Sequence, residues 1–334
     1  MPWPTGTWRL LLRAAVRDVA ELLHELELEP ASCGIEPDSA SEFPLRVPRG
    51  FVAKMRRGDP MDPLLLQVLP RLAERVAVSG FLTDPLAELH AAPVPGVLHK
   101  YRGRVLLVAT GACAVHCRYC FRRHYPYAEA SVSRDLDAAL QYLRRDASIR
   151  EVILSGGDPL MLSDEALGAL LRELDGVPHL ERLRLHTRVP VVLPERLDDG
   201  LIATLDRSRL RKVVVLHANH AGELDATLGA ALAPLRERGV NLLNQSVLLA
   251  GVNDDADALC DLSEGLFGLG VLPYYLHLLD PVAGAAHFTV PVDRARALAD
   301  DLRERLPGYL VPRLVVEVPG RASKLPVDLR EGDV

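Results

Sequence analysis

From residue 104 onward the chain alternates between two kinds of segment, and this alternation constrains the fold more than any other feature. Short apolar runs rich in β-branched residues occur at 104–110, 150–157, 181–188, 211–218, 241–249 and 271–280. Amphipathic stretches with helical spacing lie between several of them, at 133–146, 163–176 and 255–270. Strands alternating with helices predict parallel βαβ units, and six units predict a barrel or partial barrel of the α/β class. Functional side chains of such barrels lie at the carboxyl ends of the strands.

The regions on either side of this alternating part have a different pattern. Residues 1–98 contain a helical pattern over 7–28 and several proline-spaced segments, which predict a mostly helical extension of short helices. We expect the barrel core over 99–290, followed over 291–334 by a C-terminal segment with a helix, a strand and a loop.

Composition and charge exclude several classes of function. The 334 residues are 49% hydrophobic and 25% charged, which is typical of a globular protein. A net charge of −6 provides no broad electrostatic surface for nucleic acid. Charged residues interrupt the N-terminal helical pattern, so we expect no signal peptide, and no apolar run reaches membrane-spanning length. We therefore expect a cytoplasmic protein with neither nucleic-acid nor membrane partners.

The stretch GACAVHCRYCFRRHYPY at 111–127 carries Cys113, Cys117 and Cys120, spaced C-x3-C-x2-C after the first apolar run. Structural zinc sites use four ligands, commonly in C-x2-C pairs, and the sequence contains no second pair. Three thiolates on a four-iron cluster leave one iron open for chemistry. We therefore interpret the motif as a [4Fe–4S] site. The alternatives are three unpaired thiols clustered by accident, or a partial zinc site that borrows His116 or His124.

Three arginines in the same stretch form a local basic patch: Arg118, Arg122 and Arg123. So small a patch favours a small anion over a nucleic acid. We interpret Arg123, taken alone, as a solvated charge.

With the cysteine motif after the first strand of a parallel β/α chain, the sequence resembles the radical S-adenosylmethionine (SAM) superfamily. The resemblance implies a partial (β/α)6 barrel, a [4Fe–4S] cluster and SAM. Further stretches resemble one family within it, lysine 2,3-aminomutase: DPMDPLLLQVLP, HKYRGRVLL, SGGDPLML, RVPVVLPERL, NQSVLLAGVND and PYYLHLLDPVAGAAHF. VLHKYRGR, GAAHF and SKLPVDL are most similar to its bacterial EpmB (YjeK) branch, which makes (R)-β-lysine for elongation factor P.

The family resemblance also implies pyridoxal 5′-phosphate (PLP) and assigns roles to individual residues. It implies that Lys324 is the catalytic lysine that binds PLP covalently, and that Lys100 and Arg104 bind the PLP phosphate. It places the iron–sulfur cluster on the three cysteines of the motif. The residues expected to contact SAM are Ser155, Gly156, Gly157, Asp158 and Gln245.

For the substrate, L-lysine, the resemblance implies one cationic and two acidic contacts. Arg122 would bind the carboxylate, because a planar guanidinium fits two oxygens. Asp280 and Glu317 would bind the side-chain ammonium. His277 stands where relatives carry a tyrosine, and no role is assigned to it. The chain lacks the cysteine-bearing extension of longer aminomutases, so we expect no zinc and a smaller oligomer.

The expected activity is therefore conversion of L-α-lysine to (R)-β-lysine, with an external one-electron reductant. The ligase that attaches β-lysine to elongation factor P is an expected partner. A 2,3-aminomutase with a catabolic or osmolyte-producing purpose, acting on lysine or another amino acid, is one alternative. A non-catalytic iron–sulfur electron-transfer protein is an alternative of another class.

Overall fold

The structure is a computed structural model that describes residues 3–35 and 43–327. Within these residues, strands β1 to β9 form one sheet in sequence order. Strands β2 to β8 are parallel, and β1 and β9 add to its two edges antiparallel. The strands are β1 (Val97–Tyr101), β2 (Arg104–Thr110), β3 (Glu151–Gly156), β4 (Arg182–Thr187), β5 (Arg211–Leu216), β6 (Asn241–Val247), β7 (Leu272–His277), β8 (Arg313–Val316) and β9 (Leu325–Pro326).

All six predicted strands are present, as β2 to β7, and the predicted partial barrel of α/β class is confirmed. The two edge strands do not pair with each other in the described part, so the barrel stays open. The helices are α1 (Thr7–Arg13), α2 (Val19–Glu25), α3 (Arg49–Val52), α4 (Pro63–Leu66), α5 (Leu136–Arg145), α6 (Asp164–Asp175), α7 (Val189–Val192), α8 (Asp199–Asp206), α9 (Ala226–Glu237), α10 (Ala256–Gly268) and α11 (Val292–Arg305).

The barrel helices begin where the sequence offers a side-chain cap. The N-cap side chains of α5, α6, α8, α9 and α10 accept backbone N–H groups of the first turn; they are Asp135, Ser163, Asp198, Asp225 and Asp255. Each cap satisfies a donor that the helix itself leaves without a partner, which stabilises a helix by about 1 kcal/mol. None of the described helices is both long and apolar enough to cross a membrane.

The helical pattern over 7–28 is interrupted in the structure. The structure has two short helices, α1 and α2, because Val16 leaves the helical path and forms an isolated antiparallel bridge with Val47. Asp18 then starts α2 by accepting the N–H of Glu21 at 2.8 Å. This bridge connects two segments of the N-terminal extension that both precede the barrel in sequence.

The sheet extends beyond the predicted core limit at residue 290. β8 pairs with β7 in parallel, and β9 returns antiparallel along β8 with Val316 opposite Leu325. The C-terminal segment therefore forms one edge of the sheet; its residues 328–334 lie outside the described part. Buried side chains of the N-terminal extension, including Trp8, Phe51 and Leu65, belong to the same core cluster as Leu107, Leu154 and Leu183 of the barrel.

Candidate active site

A cavity of about 750 Å³ opens inside the partial barrel. Every residue predicted to bind a metal, a cofactor or substrate lines it: Lys100, Arg104, Cys113, Cys117, Cys120, Arg122, Ser155, Gly156, Gly157, Asp158, Gln245, Asp280, Glu317 and Lys324. They come from strands β1, β2, β3 and β6, from the loops after β2, β3, β7 and β8, and from the residue before β9. The tertiary structure therefore brings together residues that are more than two hundred positions apart.

The cysteine loop is held against the end of β3 by backbone hydrogen bonds. Gly157 donates to the Thr110 carbonyl at 2.7 Å, and Asp158 donates to the Ala112 carbonyl at 2.8 Å. A Cβ on Gly157 would lie 2.4 Å from the Ala112 carbonyl oxygen. Gly156 has a φ of 122°, a backbone conformation that favours glycine. The two glycines thus allow the cysteine loop itself to approach β3 closely.

The three cysteine thiols line one part of the cavity. Burial, together with the neighbouring thiols, raises the pKa of Cys113 well above its ordinary value and that of Cys120 to about 11. Iron must therefore displace protons when it binds. Among the described residues, no three His, Cys, Asp or Glu side chains converge on one metal ion. A four-iron cluster does not require such convergence, because each thiolate binds a different iron.

The two histidines of the zinc alternative have other partners. A ring nitrogen of His116 is hydrogen-bonded to the Pro44 carbonyl at 2.9 Å. A ring nitrogen of His124 is hydrogen-bonded to the Ala283 carbonyl at 3.2 Å. The donor set offered to iron is therefore the three thiols, which fits a cluster with one open iron.

The anion expected at the local basic patch is supplied by the protein itself. Arg118 and Arg123 both contact Glu74, and Arg123 does so at 2.7 Å. Arg122 contacts Glu88. The interpretation of Arg123 as a solvated charge is wrong, because its side chain is buried and paired. All three arginines connect the cysteine stretch to the N-terminal extension.

Lys324 and Lys100 meet on one carboxylate. Because β8 and β9 pair with Val316 opposite Leu325, Glu317 and Lys324 face each other at the next position. Their side chains form a close ion pair, and Lys100 donates to the other Glu317 oxygen at 2.8 Å. Glu317, predicted to bind a substrate ammonium, is thus already paired with two lysines.

Arg122 is also paired in this structure. Its Nε and Nη2 donate to the two Glu88 oxygens at 2.6 and 2.9 Å. Its Nη1 donates to Ser155 Oγ at 3.0 Å. The guanidinium therefore joins the N-terminal extension to the end of β3, and Glu88, which the sequence analysis missed, is its main counter-ion.

Asp280 differs from the other cavity acids. Within the described residues its carboxylate makes no hydrogen bond, and it lies three positions beyond the end of β7. Burial and the Glu317 carboxylate raise its pKa to about 7. A buried carboxylate in this state is stabilised by any cation that enters the cavity.

The residues predicted to contact SAM differ in how far their side chains are already hydrogen-bonded within the protein. The Asp158 carboxylate accepts from Thr187 Oγ1 and from the backbone N–H groups of Leu160, Arg188 and Val189. It therefore positions the turn after β4, which is a different task from binding a SAM amino group directly. Gln245 lies on β6 and lines the cavity. Its contact with SAM stays a prediction.

Two further cavity residues concern the expected PLP site. The Arg104 guanidinium lies 4.6 Å from the centre of the Tyr101 ring, and no ion pair to a described residue holds it. It is therefore available to a phosphate. Burial and the nearby Lys324 lower the pKa of His277 well below its ordinary value, so this histidine is neutral. Its role stays unassigned.

Arg188 is a second residue that the sequence analysis missed. It directly follows β4, its Nη1 lies 3.1 Å from Cys117 Sγ, and its Nη2 contacts Gln67 and Glu223. A buried guanidinium therefore lies beside one sulfur atom of the cysteine motif. The sequence could have pointed to Arg188, because it lies at the carboxyl end of a predicted barrel strand, where functional side chains concentrate.

Comparison with known proteins agrees with this geometry. Residues 107–216 match the model of the radical SAM superfamily. A protein named L-lysine 2,3-aminomutase from Escherichia coli (strain K12) is 49% identical over 97% of this chain and 95% of its own length. Proteins of the same name from Haemophilus influenzae and Clostridium subterminale are 47% and 34% identical. They match over 95% and 96% of this chain, and over 94% and 77% of their own lengths. The chain belongs to the lysine 2,3-aminomutase family.

Membership of this family confirms three predictions. The chain is an enzyme of the isomerase class, which favours the aminomutase interpretation over a non-catalytic electron-transfer protein. The radical SAM superfamily uses a [4Fe–4S] cluster and SAM, which fits three cysteines lining one cavity.

Proposed function

We propose that this enzyme is a lysine 2,3-aminomutase that uses PLP on Lys324 and converts L-α-lysine to (R)-β-lysine. The observation that carries the proposal is the single cavity, in which three cysteines, a lysine and two acids from distant parts of the chain meet. The relatives named L-lysine 2,3-aminomutase match over nearly the whole chain.

The chain supplies a covalent attachment point and cations for PLP. Lys324 lies in the cavity and is held by Glu317, so its amine has a fixed position. Arg104 and Lys100 lie on β2 and β1 at one side of the cavity and are suited to a phosphate. PLP, when bound, supplies the π-system that stabilises a migrating nitrogen, and the protein orients the reactants and excludes water.

The substrate would be held at both ends. Arg122 offers guanidinium N–H groups to the carboxylate, and Asp280 offers a carboxylate to the side-chain ammonium. An amino acid without a cationic side chain would leave Asp280 without a partner, which is costly for a buried charge. Glutamate would place a second carboxylate beside it. We therefore propose selectivity for lysine.

The use of the product is the finer part of the proposal. We propose that the β-lysine is attached to elongation factor P by a ligase, because the sequence resembles the branch with that purpose. The resemblance is carried by VLHKYRGR, GAAHF and SKLPVDL. A catabolic or osmolyte-producing 2,3-aminomutase remains the second candidate. Growth of a strain lacking the gene, with and without added β-lysine, and the mass of its elongation factor P distinguish the two.

Anaerobic incubation of the reconstituted enzyme with L-lysine, SAM, PLP and a one-electron reductant tests the reaction. The expected product is β-lysine, separated chromatographically from α-lysine, and it should not form when SAM or PLP is omitted. The same assay with norleucine and glutamate tests selectivity through kcat/KM. Equal turnover of norleucine and lysine would contradict the role of Asp280, and no β-lysine at all would contradict the function.

A further inference from the structure

Glu88 lies at a junction that none of the assigned roles explains. It begins a short 3-10 helix, Glu88–Ala91, in the N-terminal extension and is only 3% exposed. Its oxygens accept from Arg122 at 2.6 and 2.9 Å, and Lys100 Nζ lies 3.2 Å away. Its own backbone N–H is fixed by Asp84 at 3.0 Å. A buried carboxylate is therefore held rigidly between two cations.

The contact with Arg122 fixes the orientation of the guanidinium. Glu88 takes the edge formed by Nε and Nη2, in the two-bond geometry that sets both distance and plane. The Nη1 group is left pointing to the end of β3, where it meets Ser155 Oγ at 3.0 Å. Without Glu88, Arg122 would be a buried cation lacking its main partner, and its side chain would be free to turn.

The contact between Glu88 and Lys100 connects the fixed Arg122 side chain to residues at the other end of the cavity. Lys100 bridges Glu88 and Glu317, and Glu317 in turn contacts Lys324. Positive and negative charges therefore alternate along the cavity wall: Arg122, Glu88, Lys100, Glu317 and Lys324. Glu88 is the anion that joins the arginine end of this chain to the lysine end.

Glu88 is ionised in this arrangement. Burial alone would raise its pKa, but Arg122 and Lys100 outweigh burial and lower it. Removing its charge would leave Arg122 and Lys100 as neighbouring buried cations that repel each other.

We propose that Glu88 is a positioning residue that sets the place of Arg122 relative to Lys324, and so the place of the substrate carboxylate relative to the reacting amine. This inference rests on the proposed function, because it takes the carboxylate role of Arg122 and the PLP role of Lys324 from it. Glu88 lines the cavity and would act through its contacts with Arg122 and Lys100. The N-terminal extension thereby contributes directly to substrate selection by the barrel.

The test compares Glu88→Gln and Glu88→Asp with the parent enzyme in lysine turnover. Glu88→Gln keeps the size and removes the charge, so we expect KM for lysine to rise by about tenfold or more, with a smaller change in kcat. Glu88→Asp keeps the negative charge, but its shorter side chain moves the carboxylate away from Arg122 by about one methylene. Its KM for lysine should therefore lie between that of the parent enzyme and that of Glu88→Gln. Iron content should match the parent, because none of the three cysteines of the motif contacts Glu88. Borohydride-fixed PLP on Lys324, measured at saturating PLP, should also match it, because Glu317 still holds Lys100 in both variants.

Glu74 offers a matched control. It is another buried glutamate of the N-terminal extension that joins two arginines of the cysteine stretch, Arg118 and Arg123. Glu74→Gln should lower thermal stability as Glu88→Gln does but leave KM for lysine at the parent value. This comparison separates a general loss of stability from a loss of substrate positioning.

The possible outcomes are distinct. A parent-like KM in Glu88→Gln and Glu88→Asp, with active parent enzyme, would overturn the role of Glu88 and leave the proposed function standing. If Glu88→Gln does not fold, a parent-like KM in Glu88→Asp alone overturns it. A parent enzyme that forms no β-lysine overturns the proposed function, and the inference about Glu88 with it.

Discussion

Asp280 and Glu317 bring the same charge into the cavity, but their surroundings move their pKa values in opposite directions. Burial and the Glu317 carboxylate raise the pKa of Asp280 to about 7. Burial would also raise the pKa of Glu317, but Lys324 and Lys100 outweigh it and hold that pKa at about 2. The two acids therefore differ in their ion pairs within the protein, and their expected contact with a substrate ammonium stays a prediction. Glu317 is already neutralised by lysines, and Asp280 is the acid that an incoming ammonium would stabilise.

This difference predicts that Asp280→Asn stabilises the cofactor-free protein at neutral and alkaline pH. An acid with a raised native pKa favours the unfolded state once the unfolded carboxyl ionises. The gain in unfolding free energy should be full above about pH 7 and should vanish below about pH 4, where both states are protonated. Urea denaturation across this range measures it. A variant less stable than the parent at alkaline pH would contradict the assignment.

Glu317→Gln is expected to have the opposite effect and to lower the unfolding free energy of the cofactor-free protein. A depressed native pKa contributes stability above the unfolded value of 4.5, and this contribution is lost as pH falls toward 2. The variant should therefore unfold more easily than the parent at neutral pH, since it also leaves Lys324 and Lys100 without their shared carboxylate. The stability difference should shrink as the pH is lowered. If the difference in unfolding free energy between parent and variant stayed unchanged in acid, the lost stability would come from packing and not from charge.

The cysteines give the third prediction at the scale of single residues. If the cluster is bound as proposed, replacing Cys113, Cys117 or Cys120 by alanine removes one of its three thiolate ligands. Iron content and SAM cleavage should then both be lost. Cys260, on α10, is the control, because it lies outside the cavity. Cys260→Ala should keep full iron content. Full iron and deoxyadenosine formation in a triple variant of the motif would contradict the cluster assignment.

At the scale of elements, the close approach of the cysteine loop to β3 depends on glycine. Gly157→Ala would place a Cβ 2.4 Å from the Ala112 carbonyl, and backbone on both sides must then move. We expect a loss of about 1–3 kcal/mol in unfolding free energy together with reduced iron content. Denaturant titration and iron analysis of the same preparation measure both.

Gly168 on α6 is the matched control for Gly157. A Cβ there would meet Thr204 Cγ2 at 3.4 Å, an ordinary contact, so the substitution fits. Gly168→Ala should increase stability by about 0.5–1 kcal/mol through helix propensity and leave iron content unchanged. If Gly157→Ala and Gly168→Ala changed stability and iron content equally, the close contact at Gly157 would not explain why glycine occupies that position.

At the scale of the whole molecule, the N-terminal extension and the barrel share one core. Trp8, Phe51 and Leu65 belong to the same buried cluster as barrel residues, and the extension supplies Glu74 and Glu88 to arginines of the cysteine stretch. The predicted limits at residues 98 and 290 divide the sequence by pattern. They do not divide the sheet, which runs from β1 to β9.

A shared core predicts a single unfolding transition. Both tryptophans of the chain, Trp3 and Trp8, lie in the N-terminal extension, so their fluorescence follows that region. Far-ultraviolet circular dichroism follows mainly the barrel. The two thermal transitions of the cofactor-free protein should coincide, as in two-state unfolding. A tryptophan transition several degrees below the other would show that the extension unfolds independently.

The sequence alone determined the barrel and the identity of the groups in the cavity. Strand and helix periods are local properties, so the runs at 104–110 and 150–157 predicted β2 and β3 closely. The cysteine motif is also local, because its three thiolates lie within eight residues. Lys324 and Asp280 could be named because the sequence around them resembles the lysine 2,3-aminomutase family.

Only the tertiary structure decided how these groups are paired. Glu88 and Glu317 are separated from Lys100 by different stretches of chain, and no local pattern states that both contact it. The break between α1 and α2 depends on a bridge to Val47, far along the sequence. The charge state of Asp280 depends on burial and on a carboxylate from another strand. Pairing and burial are properties of the packed chain, because they exist only when distant segments exclude water from each other.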